Sequence, residues 1–355
     1  MGLVIEPREI PPAYLTSELG RSGVRTALRS GEYTQARRGA IVPAPPVGTP
    51  WQEAEAQTLG AIAAVAKKLR NGAVFSHASA ALIHGLWLMD IPVIPEVTQE
   101  SRPNSHGRTS LRRHRTFLGP EQVTSVNGLD VTTIERTIVD CACTMPPRSA
   151  LVVADSGLRV LLDAERSRKS FHPDALEELR RRLLRILEAG PRRGRRQARA
   201  VINAADPHSE SPQETSVRWI TISRGMPAPI TQMAIVTRGG TFYADLGWRW
   251  VLESPDGART VWTVLVEYDG EVKYLPSGGI VGSGEEAAGA VLAEKRREDL
   301  IREHPRTIVV RVSKEDTRDP DRLFARILAA LPPEVRATIR LQPIPELLIG
   351  TASRS

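Results

Sequence analysis

The stretch Val261-Trp262-Thr263-Val264-Leu265-Val266-Glu267-Tyr268-Asp269-Gly270 decides how the C-terminal third of this 355-residue chain is read. It is apolar almost without interruption up to Glu267, the pattern of a buried central strand. Two acids at the end of such a strand are costly to withdraw from water unless they are paired or hold a metal ion. Working back along the chain, Thr241 to Trp250 is a second strand with Asp245 inside it. Gly239-Gly240 is the turn of a hairpin, and Thr231 to Thr237 is the other arm. The insertion Leu252 to Thr260 reads as a longer hairpin between the Asp245 and Glu267 strands. Before the hairpin, Ser211-Pro212-Gln213-Glu214 opens a helix that runs to Ser223 and stops at Arg224-Gly225. Ser211 is its cap, Pro212 suits the first turn, and Glu214 completes a capping box. Forward of Gly270, the pattern predicts a long helix from Glu285 to Glu303, a strand from Thr307 to Val312, and a closing helix to Leu331 capped by Asp319 with Pro320 behind it. Helix, three strands, helix, strand and helix make an α/β sandwich around a mixed sheet.

The acids point to phosphodiester hydrolysis. That reaction needs a hard cation to neutralise developing charge and to acidify the attacking water. Mg²⁺ or Mn²⁺ takes oxygen ligands, and Mg²⁺ usually takes only one or two carboxylates from the protein. Asp245 and Glu267, on strands expected to be neighbours, can converge on one ion, with Glu214 approaching from its helix as a third ligand or as the holder of a metal-bound water. Asp269 lies two residues beyond Glu267 and so shares its face. Lys273 follows four residues later and can orient or activate the water. The candidate catalytic set is therefore Glu214, Asp245, Glu267, Asp269 and Lys273, with Glu214, Asp245 and Glu267 as metal ligands.

The N-terminal part reads differently. Thr16 or Ser17 caps a short helix with Leu15 and Leu19 turned inward, and Gly20 closes it. Ser22 caps a second helix, Gly23 to Ser30, which Gly31 stops. A hairpin follows, from Glu32 through a turn at Arg38-Gly39 to Val42. Two short helices and a hairpin are the pattern of a winged helix-turn-helix. Its second helix would carry Arg21, Arg25 and Arg29 toward the major groove, and Arg37 and Arg38 would reach phosphate or the minor groove from the wing. From Trp51 the chain becomes a mixed α/β block. Trp51 to Leu69 and a segment begun by Ser76 are helices; Ile91 to Val97, Thr109 to Thr116 and Gln122 to Val131 read as strands. A further helix has a Thr132–Glu135 capping box and an Arg136–Asp140 pair four residues apart. His77 and His84 lie seven residues apart, which is not the helical spacing of a zinc site, and are read as core or cap histidines.

These readings divide the chain into a winged helix (1–50), a mixed α/β domain (51–190), a basic linker (191–208), the sandwich (209–335) and a loosely ordered tail (336–355), an α/β multidomain protein. The linker holds Arg192, Arg193, Arg195 and Arg196, read either as a solvated hinge or as a phosphate-binding patch. Lys and Arg outnumber Asp and Glu by 48 to 41, a net charge of +7, which is compatible with double-stranded DNA as partner. No segment has the apolar length to span a bilayer, and the N-terminus lacks the apolar core of a secretory signal. Only two cysteines occur, Cys141 and Cys143, too few and too close for a disulfide framework or a zinc site. The expected location is the cytoplasm.

Two resemblances add to this. The segments ending Arg37-Arg38-Gly39-Ala40-Ile41-Val42, then Ser76-His77-Ala78 to His84-Gly85-Leu86, then Gly128-Leu129-Asp130 to Arg136-Thr137-Ile138-Val139-Asp140 resemble the AbiEi-type antitoxins of actinobacteria over about residues 14–160. That resemblance implies DNA binding, repression of a toxin operon and a cognate toxin protein as partner. The stretches Asp206 to Glu214, Gly225-Met226-Pro227, Ala244-Asp245-Leu246-Gly247-Trp248, Val266 to Lys273-Tyr274, Glu294-Lys295 and Val310-Arg311-Val312 resemble the Vsr-like branch of the PD-(D/E)xK restriction-endonuclease superfamily. It implies a restriction-endonuclease-like fold with a metal site at Glu214, Asp245 and Glu267. The superfamily's Glu-x-Lys would put lysine at position 269, where this chain has Asp269. The functional expectation is a metal-dependent DNA endonuclease with an N-terminal DNA-binding module. The alternative is a non-catalytic DNA-binding regulator or antitoxin that keeps the nuclease fold as a scaffold.

Overall fold

Gly20 has φ 68 and interrupts what would otherwise be one N-terminal helix, so the two expected helices are the halves of a kinked α1, Thr16–Ser30. The structure is a computed structural model, which describes residues 5–69, 73–101, 110–163, 173–190, 192–269 and 305–348. It divides into two units, residues 2–207 and 208–355. Among the described residues there are eleven α-helices and three sheets, a multidomain α/β protein.

In the first unit β1 (Tyr14–Leu15), β2 (Tyr33–Arg37) and β3 (Ala40–Pro43) form an antiparallel sheet in the order β1-β3-β2, with α1 beside it. The order of a kinked helix followed by a hairpin is that expected. It departs from expectation in one respect: α1 buries none of its residues, and Leu19, expected to face inward, is 39% exposed. The small core beneath the wing comes instead from Ala13, Ala40 and Val42 packed with Ala63 and Ala64. Those alanines belong to α2 (Pro50–Ala66), whose N-cap Thr49 accepts a hydrogen bond from Gln52 N.

The middle sheet has the order β6-β5-β4-β8-β7, from β4 (Val74–Phe75), β5 (Glu96–Gln99), β6 (Arg112–Arg115), β7 (Val123–Val126) and β8 (Leu129–Thr132). The β5 strand begins at Glu96 rather than at Ile91. The segment Gln122 to Val131 is a hairpin, turned by Asn127 (φ 49) and Gly128 (φ 78). Helix α3 (His77–Ile83) covers this sheet, and α4 (Ile134–Thr144) packs on α3. The α4 cap is Thr133, whose hydroxyl accepts from Arg136 N, one residue later than the expected Thr132. Thr132 is a β8 residue, fully buried, bonded through its hydroxyl to Thr137.

Helices α5 (Pro147–Leu161), α6 (Pro173–Ala189) and α7 (Arg195–Ala204) complete the unit. The linker expected at residues 191–208 is therefore corrected, because most of it is α7. Ala198, Val201 and Ile202 are fully buried against α4, α5 and α6. Gly194, at φ 78, admits the chain to this helix; any side chain there would collide with the backbone of Cys143. Gln197 Nε2 then donates to Ala142 O and Met145 O, both at 2.8 Å, closing the end of α4.

The second unit begins with α8 (Pro212–Ser223), whose N-cap Ser211 accepts from Glu214 N at 3.2 Å, as expected. Strands β9 (Ile230–Thr237), β10 (Gly240–Glu253), β11 (Arg259–Tyr268) and β12 (Thr307–Val312) make a sheet in the order β12-β11-β10-β9. All pairs are antiparallel except β11 with β12, which is parallel. Leu265 and Val266 are buried, the central position their pattern required. Helix α9 (Pro320–Ala330) starts at Asp319, which accepts from Arg322 N at 3.0 Å. The helix expected at 285–303 lies outside the described residues.

The described part of the expected loose tail is also packed. It takes in the end of α10 (Pro333–Thr338) and the whole of α11 (Pro345–Leu348). Gln342 N donates to Gly225 O and Ile344 N to Ser223 O, while Trp219 Nε1 donates to Leu347 O at 3.0 Å. Gly225, at φ 88, is required because a Cβ there would lie 2.2 Å from Gln342 N.

If α7 is part of the core, Ile202→Ala will cost ~2–5 kcal/mol in urea unfolding, as large-to-small core changes do. A loss below ~0.5 kcal/mol, the size of a surface substitution, would restore the linker reading.

Candidate functional site

Glu214 is only 8% exposed although it stands in the first turn of α8. Its carboxylate is held on both oxygens. Ser211 Oγ donates to Oε1 at 2.9 Å; Glu210 N and Gln232 Nε2 donate to Oε2 at 2.8 and 3.2 Å. Gln232 has left-handed backbone, φ 50, within β9. Burial, and then the negative charge of Asp245, push the Glu214 carboxyl up to about 8, against the lowering effect of the Glu210 amide and the Ser211 hydroxyl.

Asp245 reaches the same neighbourhood from the sheet. Leu246 pairs with Val266, so one step further along that register Asp245 stands opposite Glu267. Its Oδ2 accepts from Tyr268 N at 2.7 Å. Glu267 is 8% exposed. Asp269 N donates to Val312 O at 2.7 Å, which anchors the end of β11 to β12. The Asp269 carboxylate lies 3.4 Å from Arg311 NH1. In the parallel pairing Arg311 is opposite Glu267, so a fixed cation stands next to both acids at the strand end. Its signal in the sequence is an arginine inside the apolar strand Thr307–Val312. Lys273 and Lys295 lie outside the described residues.

The donor set is all oxygen, which suits Mg²⁺ or Mn²⁺. Asp245 and Glu267, adjacent across the ladder, are the pair that could hold such an ion. The ligand atoms of Glu214, Asp245 and Glu267 do not all fall within 4.8 Å of one another. Among the described residues only His77, Glu96 and His114 satisfy that condition.

Of the basic residues singled out for DNA, Arg21, Arg25 and Arg29 are exposed on α1, and Arg38 is exposed on the wing. Arg37 is half-buried and donates from NH2 to Ser110 Oγ at 2.8 Å. Its burial, and then the charge of Arg113, lower its pKa. Arg192, Arg193 and Arg196 are exposed, whereas Arg195 donates to the carbonyls of Glu188 and Gly190 at the end of α6. Arg195 therefore fastens α7 to α6, a structural task.

A second cluster was not singled out from the sequence. His77 stacks on His114 with ring centroids 3.5 Å apart and planes inclined by 15°. His114 Nε2 lies 2.7 Å from Glu96 Oε2, and Arg112 NH1 donates to Glu96 Oε1 at 2.8 Å. His77 is a helix-start residue, as its reading as core or cap proposed, but its backbone is left-handed at φ 56. The expected Arg136–Asp140 pair is formed, with Nε to Oδ1 at 2.9 Å.

No family model matches the chain, and no curated protein matches it. Among solved structures, the crystal structure of the RV2827C protein from Mycobacterium tuberculosis is similar at 16% identity and a TM-score of 0.33, covering 56% of this chain and 73% of that one. A likeness of that size carries no argument about what this chain does.

The Glu214 pKa makes a pH prediction. Between its ordinary value of 4.5 and about 8 the folded protein keeps a proton that the unfolded chain releases, so stability falls as pH rises through that window. Melting temperatures of metal-free protein will decline from pH 5 to pH 9, and Glu214→Gln will flatten the decline. An unchanged slope in the variant would dismiss Glu214 as its source.

Proposed function

We propose that this chain is a DNA-directed, Mg²⁺- or Mn²⁺-dependent phosphodiesterase whose N-terminal winged helix delivers double-stranded DNA. The observation that carries the reading is that Asp245 and Glu267 stand opposite each other at one end of a buried sheet, with Glu214 near enough to Asp245 that burial, and then that charge, push its carboxyl up to about 8. Asp245 and Glu267 would hold the ion, which supplies charge neutralisation for the phosphoryl oxygens and an acidified water. Glu214, released from its proton as positive charge enters the site, would orient that water. Arg311 would provide the cation that the superfamily lysine supplies, since position 269 is an acid already next to Arg311. The resemblance of residues 206–312 to the Vsr-like nucleases supports this reading, which places the protein in the cytoplasm with the DNA. Among the described residues no helix is long and apolar enough to cross a membrane.

Plasmid incubated with the protein and Mg²⁺ or Mn²⁺ will be nicked or cut. A metal site contributes several kcal/mol, so Asp245→Ala and Glu267→Ala will each slow cleavage at least ~100-fold. Equal cleavage by wild type and Asp245→Ala would assign the activity to a contaminant.

A second reading is favoured by the exposure of α1. A helix that buries nothing while presenting Arg21, Arg25 and Arg29 suits a DNA-binding regulator, in the manner of an antitoxin that represses its operon and meets a cognate toxin. In a gel-shift titration on upstream operator DNA, Arg25→Ala will weaken binding and lower the salt slope by about one. Affinity and slope that stay unchanged in both Arg25→Ala and Arg38→Ala would remove the winged helix from DNA recognition.

A further inference from the structure

The first unit contains a cleft of about 530 Å³, in the size range of sites for small molecules. Its basic lining comes from Arg112, Arg113, Arg115, Arg136 and Arg193. Most of these are already aimed by a fixed neighbour. Arg112 bonds Glu96, Arg113 bonds Gln99, Arg115 Nε bonds Glu100 O, and Arg136 bonds both Asp140 and Gln122. Each such contact uses only part of a guanidinium with five N–H donors, so the remaining donors are available to a ligand. Arg193 is exposed at the cleft. Five guanidinium groups face one acid of the lining, Asp140, with Glu96 behind His114. Arginine gathered in this way presents the planar donor geometry that phosphate accepts.

The His77–Glu96–His114 cluster at this cleft has the composition of a metal site, but its geometry argues against one. Ring nitrogens direct their lone pairs in the ring plane, and two rings stacked at 3.5 Å send them side by side rather than toward one point. The Glu96 carboxylate is already bridged by Arg112 and His114. A divalent cation would also enter a field of arginines. That field, together with burial, keeps His77 uncharged: its pKa is well below the ordinary value, through burial first and then His114, Arg136 and Arg112.

Two further features narrow the ligand. Asp140 Oδ2 is buried with no hydrogen-bond partner among the described residues, an acceptor awaiting a donor. Val139, Ile186 and Leu187 form an apolar part of the wall. The sugar–phosphate backbone of a duplex needs neither an apolar wall nor an orphan carboxylate. We infer that this cleft binds a free nucleotide: its phosphates on the arginines, its base against the apolar wall, and a hydroxyl or amino donor on Asp140.

Isothermal titration of the full chain in EDTA with ATP, GTP, CTP, UTP, inorganic pyrophosphate and the four nucleosides tests this. At least one triphosphate will bind with a stoichiometry of one, and its nucleoside will not. Arg113→Ala and Arg193→Ala, both at exposed positions, will each weaken that triphosphate about tenfold, the value of one charge-assisted hydrogen bond. Asp140→Asn will weaken the triphosphate but leave pyrophosphate unchanged. The inference is overturned if no triphosphate binds, or if binding is unaffected in both arginine variants. It is equally overturned if a short duplex binds with the same dependence on both arginines while triphosphates bind no tighter than pyrophosphate. Zn²⁺ bound stoichiometrically and lost in His114→Ala, with no triphosphate binding, would make the cleft a cation site instead.

Discussion

Carboxylates withdrawn from water lose hydration and repel one another, and Glu214 is subject to both effects. It is buried at the start of α8, held there by Ser211, Glu210 and Gln232, within the field of Asp245. The sheet then brings Asp245 opposite Glu267, with Arg311 across the next ladder. Nothing in packing requires acids here; an apolar residue of similar volume would fold with less expense. Their charge is met within the unit in part by Arg311, which lies 3.4 Å from the Asp269 carboxylate and opposite Glu267 in the parallel ladder.

Local chemistry was the part of the fold most legible beforehand. Ser211, Asp319 and Pro212 mark helix starts through contacts within three or four residues, and the structure places those starts where the caps put them. The hairpin arms of β9 and β10 and the central run of β11 follow from alternation and apolarity in the same way. Errors arose where charge concealed packing. The arginines from 192 to 199 hide the spacing of Ala198, Val201 and Ile202, which is what seats α7. The Thr132 capping box failed because two threonines adjoin, and the buried one was needed by the sheet.

The His77–Glu96–His114 cluster was illegible for another reason. Glu96 and His114 are 18 residues apart on strands whose parallel pairing sets Glu96 against Arg112 and Thr98 against His114. His77 joins them from a helix start. No spacing rule connects the three, and only the register of β5 with β6 does so. In the second unit Asp245 and Glu267 stand out in the sequence because each interrupts an apolar strand, and Glu214 because it completes a capping box, whereas His114 lies among the arginines of the edge strand β6 and interrupts nothing.

The strap formed by residues 342–348 bears on how the molecule is made. Trp219, in the helix whose first turn holds Glu214, bonds a carbonyl 128 residues further along. A ribosome therefore releases α8, and later the Asp245 and Glu267 strands, well before the segment that clasps the end of that helix. During this interval the acid-bearing helix lacks its final fastening, so its packing is completed only when the C-terminal strap has been made.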